Sequence, residues 1–239
     1  MQKRSLLSVL LFLCVVCAQA QKRVSVDAQI KNVADGKVTT VTRRILCDRS
    51  GRVVTVSLSS PQSYLIRNLK GEVKLYIPST NEVMSMIDPS FTTGNELLYI
   101  FLSGHTDDLG LGYLGYMLQK SEFDAEGYLK RTFVTKDKDA ATIELVLKDY
   151  LPVYVEYRGP SGNVLAKTYL SGYDRKASFV FPSRVTEITY VPQKKDSIIT
   201  RTIYTVPDLS GTDPDFDYQV PKGAKPADNP LNRLKEAVK

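Results

Sequence analysis

The chain has no tryptophan, one histidine and three cysteines in 239 residues. Each scarcity removes a class of explanation. Cys14 and Cys17 fall in an N-terminal apolar segment, so Cys47 stands alone in the body of the chain. No internal disulfide can then brace the fold, and packing and sheet pairing must supply the stability. A buried strand position is the expected place for that thiol. The lone His105 falls short of the several nitrogen and sulfur ligands a zinc site requires. No G-x-S-x-G motif offers a nucleophile. The lack of tryptophan weakens any carbohydrate platform. Beyond the N-terminal segment no apolar run reaches the roughly 20 residues of a membrane helix.

That first segment has the form of an export signal. Lys3 and Arg4 precede the apolar run from Leu6 to Val16, and Ala18-Gln19-Ala20 supplies a small-residue cleavage site. Residues 1–20 are expected to leave, and the mature chain to begin at Gln21. A competing reading makes Cys17 a lipidated first residue, although Val16 before it is bulky where such signals carry a small residue. The formal charge of +6 falls by two, to +4, once Lys3 and Arg4 are lost. The remaining basic residues are interspersed with acids. Such a diffuse field favours solubility and makes no nucleic-acid stripe.

About 220 residues then remain, enough for one large β domain. Arg23 to Ile30 alternates strictly, Asp35-Gly36 is a hairpin dipeptide, and Lys37 to Leu46 follows. Further strands are expected at 52–58, 64–69, 72–77 and 82–87, then at 129–135, 142–148, 153–157, 164–170, 177–181, 184–191 and 197–206, with a last one at 216–220. A single domain over 21–220 and a flexible tail over 221–239, with a frayed helical turn at 231–238, complete the expectation. Close strand spacing of this kind points to a curved antiparallel sheet, a sandwich or a barrel.

The rhythm breaks between Thr92 and Lys120. Asn95 is placed to cap a helix over 96–102 with Gly104 as its stop. Asp107 or Asp108 would open a second short helix carrying Leu109, Leu111, Tyr113, Leu114, Met117 and Leu118. Gly110, Gly112 and Gly115 each weaken that helix by about 1 kcal/mol relative to alanine. A greasy block folded over a sheet is a way to build an apolar pocket, and Tyr99, Tyr113, Tyr116 and Tyr128 would give it amphipathic walls.

Candidate chemistry is thin elsewhere. His105 with Asp107 or Asp108 could act as a base, but the rest of a catalytic constellation is missing. The acids of 212–217 lack the glycine and distal bidentate acid of a calcium loop. Glu122, Asp124 and Glu126 have no spacing that fixes the separation glycoside hydrolysis needs. The residues point to binding without a cofactor or a metal.

Several segments together resemble the periplasmic lipoprotein carriers of the LolA-like outer-membrane lipoprotein-sorting superfamily. They are Gly71 to Val83, with Tyr76-Ile77-Pro78 at its centre; Thr92-Thr93-Gly94-Asn95 with the apolar helix after it; and Phe181-Pro182-Ser183-Arg184-Val185, followed by 198–204 and by Phe216 to Gly223. The resemblance spans most of 40–225. It implies a mainly β fold with a few helices, in which a curved antiparallel sheet forms a half-open barrel under a short helical lid. It implies a non-enzymatic periplasmic monomer that takes lipoprotein acyl chains or another lipid. The alternative is a structural or adaptor protein of the envelope that docks a protein partner through the apolar block. Leu75, Ile77, Met84 and Met86 would line the pocket from the sheet, and Leu97, Leu98, Phe101, Tyr113 and Met117 from the lid. Arg43 and Arg44 are the candidates for the family's gating arginine. The family's long N-terminal amphipathic helix has no counterpart here.

Overall fold

The computed structural model describes residues 23–175, 177–191 and 196–227. The expected signal segment, Cys17 and the tail turn at 231–238 lie outside them. Period-two alternation produces the first strands. β1 (Arg23–Ala34) and β2 (Lys37–Asp48) pair along their whole length. The dipeptide between them takes positive φ at both residues, 48° at Asp35 and 71° at Gly36, the geometry of a two-residue hairpin turn. β3 (Val53–Ser57), β4 (Ser63–Arg67), β5 (Glu72–Ile77) and β6 (Glu82–Ile87) continue the meander.

A second meander runs through β7 (Met117–Phe123), β8 (Leu129–Val134), β9 (Thr142–Lys148), β10 (Leu151–Arg158), β11 (Val164–Tyr173), β12 (Pro182–Val191) and β13 (Asp196–Tyr204). The two meanders join where β1 pairs with β13, giving one curved, unclosed sheet in the order β14-β6-β5-β4-β3-β2-β1-β13-β12-β11-β10-β9-β8-β7. β14 (Lys225–Pro226) is a two-residue parallel addition beside β6. This order has a consequence for the block at 88–116. β6 and β7 follow one another in the chain yet stand towards opposite margins of the sheet, so the segment between them must cross one face.

It crosses the concave face as a lid. Two 3₁₀ turns, Pro89–Phe91 and Thr93–Asn95, lead into helix α1 (Leu97–Ser103), and a third 3₁₀ turn spans Leu111–Leu114. Seven residues are too few for a helix to persist in isolation. Packing holds α1 instead: Leu98, Tyr99, Ile100, Phe101 and Leu102 are all buried. They meet Val24, Val26, Ala28, Ile45, Cys47, Val53 and Phe181 in one cluster. Each such side chain contributes on the order of 2 kcal/mol by leaving water. Gly104, in the left-handed region at φ 82°, ends the helix as expected.

Four expectations are corrected. The second helix does not form, because Leu109, Gly110 and Gly115 take positive φ of 50°, 72° and 79°, which no right-handed helix accommodates. Met117 belongs to strand β7, whose seven residues are all exposed at the sheet margin. The segment 177–181 bends without pairing. The closing strand at 216–220 is replaced by a 3₁₀ turn, Pro214–Asp217, and an extended stretch that covers the convex face. There Phe216 packs with Leu46, Val54, Val56 and Ile66, and Tyr218 stacks on Tyr64 with ring centroids 3.8 Å apart. Arg23 pairs with Asp217, Arg44 with Asp27 and Asp213, and Arg52 donates to the Phe216 and Tyr218 carbonyls. In the described part of the C-terminal stretch, the amides of Lys225 and Ala227 donate to the Asn81 and Val83 carbonyls.

Candidate functional site

The lid is pinned at its entry. Thr93 Oγ1 donates to the Gly51 carbonyl at 2.6 Å and Thr92 Oγ1 to that of Leu69 at 2.9 Å. Gly94 lies under the Tyr113 ring, where a Cβ would come within 2.4 Å of Cγ. A Cβ on Gly110 would stand 2.2 Å from the Gly94 carbonyl oxygen. The Thr92-Thr93-Gly94 motif therefore locks the lid to the β2–β3 and β4–β5 turns.

Between the lid and the second meander lies an open cleft of about 280 Å³. Asn95, Glu96, Leu97, Ile100 and Leu109 line it from the lid. From the sheet come four pairs, each two residues apart on one strand: Val155 and Tyr157, Thr168 and Leu170, Val185 and Glu187, Thr202 and Tyr204. Residues two apart share a face, and register lines the pairs up. Leu170, Val185, Thr202 and Ile30 stand in one cross-strand row. Thr168, Glu187, Thr200 and Asn32 stand in the next. The first row is mostly apolar, and its Leu170, Val185 and Thr202 are buried. The second is polar and more open to water, and in it Thr200 Oγ1 donates to Asn32 Oδ1 at 2.8 Å. The cleft thus has an apolar floor and a polar rim.

Among the described residues its charges are both negative. Glu96 is neutralised by Arg67, an ion pair with side chains 19% and 16% exposed. The Glu187 carboxylate has no hydrogen bond or ion pair among the described residues. Its carboxyl reaches solvent at the rim, but the surrounding walls thin its hydration and Glu96 adds repulsion, so its pKa is raised. Burial pushes the Tyr157 and Tyr204 hydroxyls upward too, reinforced by Glu187 in both cases and by Glu96 for Tyr204. Both remain neutral donors.

Of the nine pocket residues expected from sequence, Leu97 alone lines this cleft. Leu98 and Phe101 are core, Phe101 meeting Phe181 edge-on at 5.3 Å. Met86 shares a cross-strand row with Val73, Arg67 and Val53, and Met84 with Leu75, Leu65 and Thr55. Val53 packs against the lid cluster, so Leu75, Ile77, Met84 and Met86 do face the concave side, but on the first meander and outside the cleft. Tyr113 is exposed beside His105, with ring centroids 5.9 Å apart. Arg43 is exposed on the concave face, in register with Ala28 and Ser57. Arg44 points to the convex face and is held by Asp27 and Asp213.

The weaker candidates build turns or form ion pairs. Asp107 pairs with Arg131, and Asp108 accepts from the amides of Gly110 and Gly112. Asp124 accepts from the amides of Glu126 and Tyr128 and pairs with Lys130, while Glu122 pairs with Lys120. Among the described residues no group of three or more His, Cys, Asp or Glu side chains is placed to hold a metal ion. Sequence reasoning missed Val155, Tyr157, Thr168, Leu170, Val185, Glu187, Thr202 and Tyr204. Their signal was four i, i+2 pairs, which gain meaning only once register sets them level.

No protein-family model matches the sequence, and no curated protein matches it. Solved structures match the fold. A LolA superfamily protein, NE2245 from Nitrosomonas europaea, superposes with a TM-score of 0.56 at 13% identity, over 83% of this chain and 90% of that one. An outer membrane lipoprotein-sorting protein domain from Vibrio parahaemolyticus gives 0.57 at 12%, over 87% and 94%. A DUF1329 family protein from Desulfovibrio piger gives 0.55 at 13%, over 87% and 94%. The chain has the fold of these proteins.

Proposed function

We propose that this chain, with the LolA-type fold, is an exported, non-enzymatic binder that carries an acyl chain across the periplasm, either as free lipid or as the lipid part of a lipoprotein. One observation carries the reading: an unclosed sheet leaves an apolar floor beneath a lid, and that floor opens onto a polar rim. Each methylene laid on the floor gains about 0.8 kcal/mol. The cleft of about 280 Å³ stands near the lower end of small-molecule sites, roughly 300–1,000 Å³. It suits one chain, or part of one, rather than several. Leu97 and Ile100 would lie against it from the lid. Arg43, on the same face, is the gating candidate that cargo can meet.

The test is uptake of a fluorescent fatty acid by delipidated protein, with native mass spectrometry of the protein as purified. Binding is expected, and Leu97→Trp, which fills the cleft, should weaken it by about tenfold or more, the worth of roughly two methylenes of floor. No uptake together with no co-purifying lipid would reject the reading.

A second reading is favoured by one further observation. Leu114, Met117, Leu118 and Phe123 are 42–64% exposed around the marginal strand β7. Among the described residues nothing pairs with the outer edge of β7, and a free sheet edge with apolar side chains can accept a strand from another protein. A photo-crosslinker at Leu118 that captures one envelope protein in stoichiometric amount, with no lipid in the cleft, would favour this adaptor role.

A further inference from the structure

The cleft is not neutral at its rim. Glu96 and Glu187 line it, and among the described residues no basic side chain does. Glu96 is already matched by Arg67, which leaves Glu187 as an uncompensated anion. It stands one row outward from Leu170 and Val185, between Thr168 and Thr200 in register. Tyr157 and Tyr204 line the same cleft. An amphiphile with its chain on the floor would bring its head group to this row. A carboxylate or phosphate head would meet like charge there, while an ammonium would meet its counter-ion.

The geometry points to a head-group preference: the cleft takes an apolar chain that ends in a protonated amine, with Glu187 as the counter-ion. The inference rests on the lipid-binding reading above and makes it specific. The same chemistry is offered by an amine-bearing lipid and by the free α-amino group of an acylated polypeptide.

The experiment is displacement of a neutral alkyl fluorophore by dodecylammonium, dodecanol and dodecanoate, using the wild type, Glu187→Gln and Glu187→Lys. In the wild type dodecylammonium should bind about tenfold tighter than dodecanoate, the size of a charge-assisted hydrogen bond partly open to water. Glu187→Gln should remove most of that difference and Glu187→Lys reverse it, with dodecanol unchanged in both. An amine preference that survives in Glu187→Gln, or no preference in the wild type, overturns the proposal while leaving the lipid reading intact. Failure of all three amphiphiles to bind overturns both. A lyso-phospholipid with an ethanolamine head and an S-acylated peptide with a free N-terminus then separate the two sources.

Acidification adds an independent arm. Dodecylammonium stays charged at low pH, since amines of this kind titrate near 10.4. The groups facing Glu187 are Glu96, already held by Arg67, and the neutral Tyr157 and Tyr204. Measured against dodecanol, which does not titrate, the amine preference should therefore fade as Glu187 takes up its proton, and an unchanged preference down to pH 3 would count against the assignment.

Discussion

One short helix lies over two unlike halves of the same concave surface. Over β1 to β3 the surface is filled. Val24, Val26, Ala28, Cys47 and Val53 are small, and Leu98, Tyr99 and Phe101 descend from α1 into the room they leave. Over β10 to β13 Leu97 and Ile100 are the helix residues that border the remaining space, Leu109 follows from the loop, and a cleft stays open. The curvature and the alternation are common to both halves. What differs is whether the lid brings enough side-chain volume to match the sheet below it. A filled core and a binding cleft are thus two outcomes of one architecture, decided by a few side chains on opposite sides of the same helix.

Substitutions on the two sides of α1 test this contrast. Leu98→Ala, at a fully packed position with 1% exposure, should lower unfolding free energy in urea by about 2–5 kcal/mol, the usual cost of an unfilled core cavity. Leu97→Ala, one residue away and on the cleft, should cost less than about 1 kcal/mol, because water already reaches the space it leaves. Equal losses would mean that the cleft is closed core.

Gly110→Ala should come next, at about 1–3 kcal/mol. Its φ of 72° disfavours any side chain, and the new Cβ would press on the Gly94 carbonyl. Native-state hydrogen exchange should then accelerate in the lid before it does in β1 and β2.

Cys47 reports on the filled half directly. Its thiol is wholly buried, and burial raises its pKa far above the ordinary range, helped by the charges of Glu96 and Asp48. A thiol reagent should leave it unmodified in the native protein and label it fully in denaturant. Labelling of the native protein would show that the filled half opens.

The smallest effect belongs to the open half. The folded state holds the Glu187 proton more tightly than the unfolded chain does. Its contribution to stability is therefore complete below the unfolded value, near 4.3, and is lost as pH rises through the higher folded value. Glu187→Gln should accordingly melt slightly above the wild type at pH 7, and the gap should close towards about pH 4. A gap that instead widens on acidification would place a cation beside Glu187.

Much of the fold was legible in the chain. The alternation of Arg23 to Ile30 and the Asp35-Gly36 turn predict the β1–β2 hairpin, and they do so because period two and positive φ are local properties. The helix was legible within a residue, expected over 96–102 and found at Leu97–Ser103, since Gly104 marks its end by its own backbone freedom. The strand β7 was not. Leu109, Leu111, Leu114 and Leu118 mimic helical spacing, and an edge strand with every residue exposed carries no burial pattern to oppose it. The tyrosine pair Tyr64 and Tyr218, which fastens the C-terminal stretch to the convex face, likewise joins positions that no local pattern relates.

The chain alone determined most of the strands, where its one described helix stops and that Cys47 would be buried, because periodicity, turn chemistry and residue size act over a few neighbours. Only the tertiary structure decided that Arg43 faces the lid side and Arg44 the other, that Leu98 is core while Leu97 borders a cleft, and that Glu187 stands at its rim. Those outcomes follow from strand order and register across β10 to β13 and from the path of the lid from β6 to β7. Both are set by the balance of packing over the whole sheet, which no short stretch of sequence encodes.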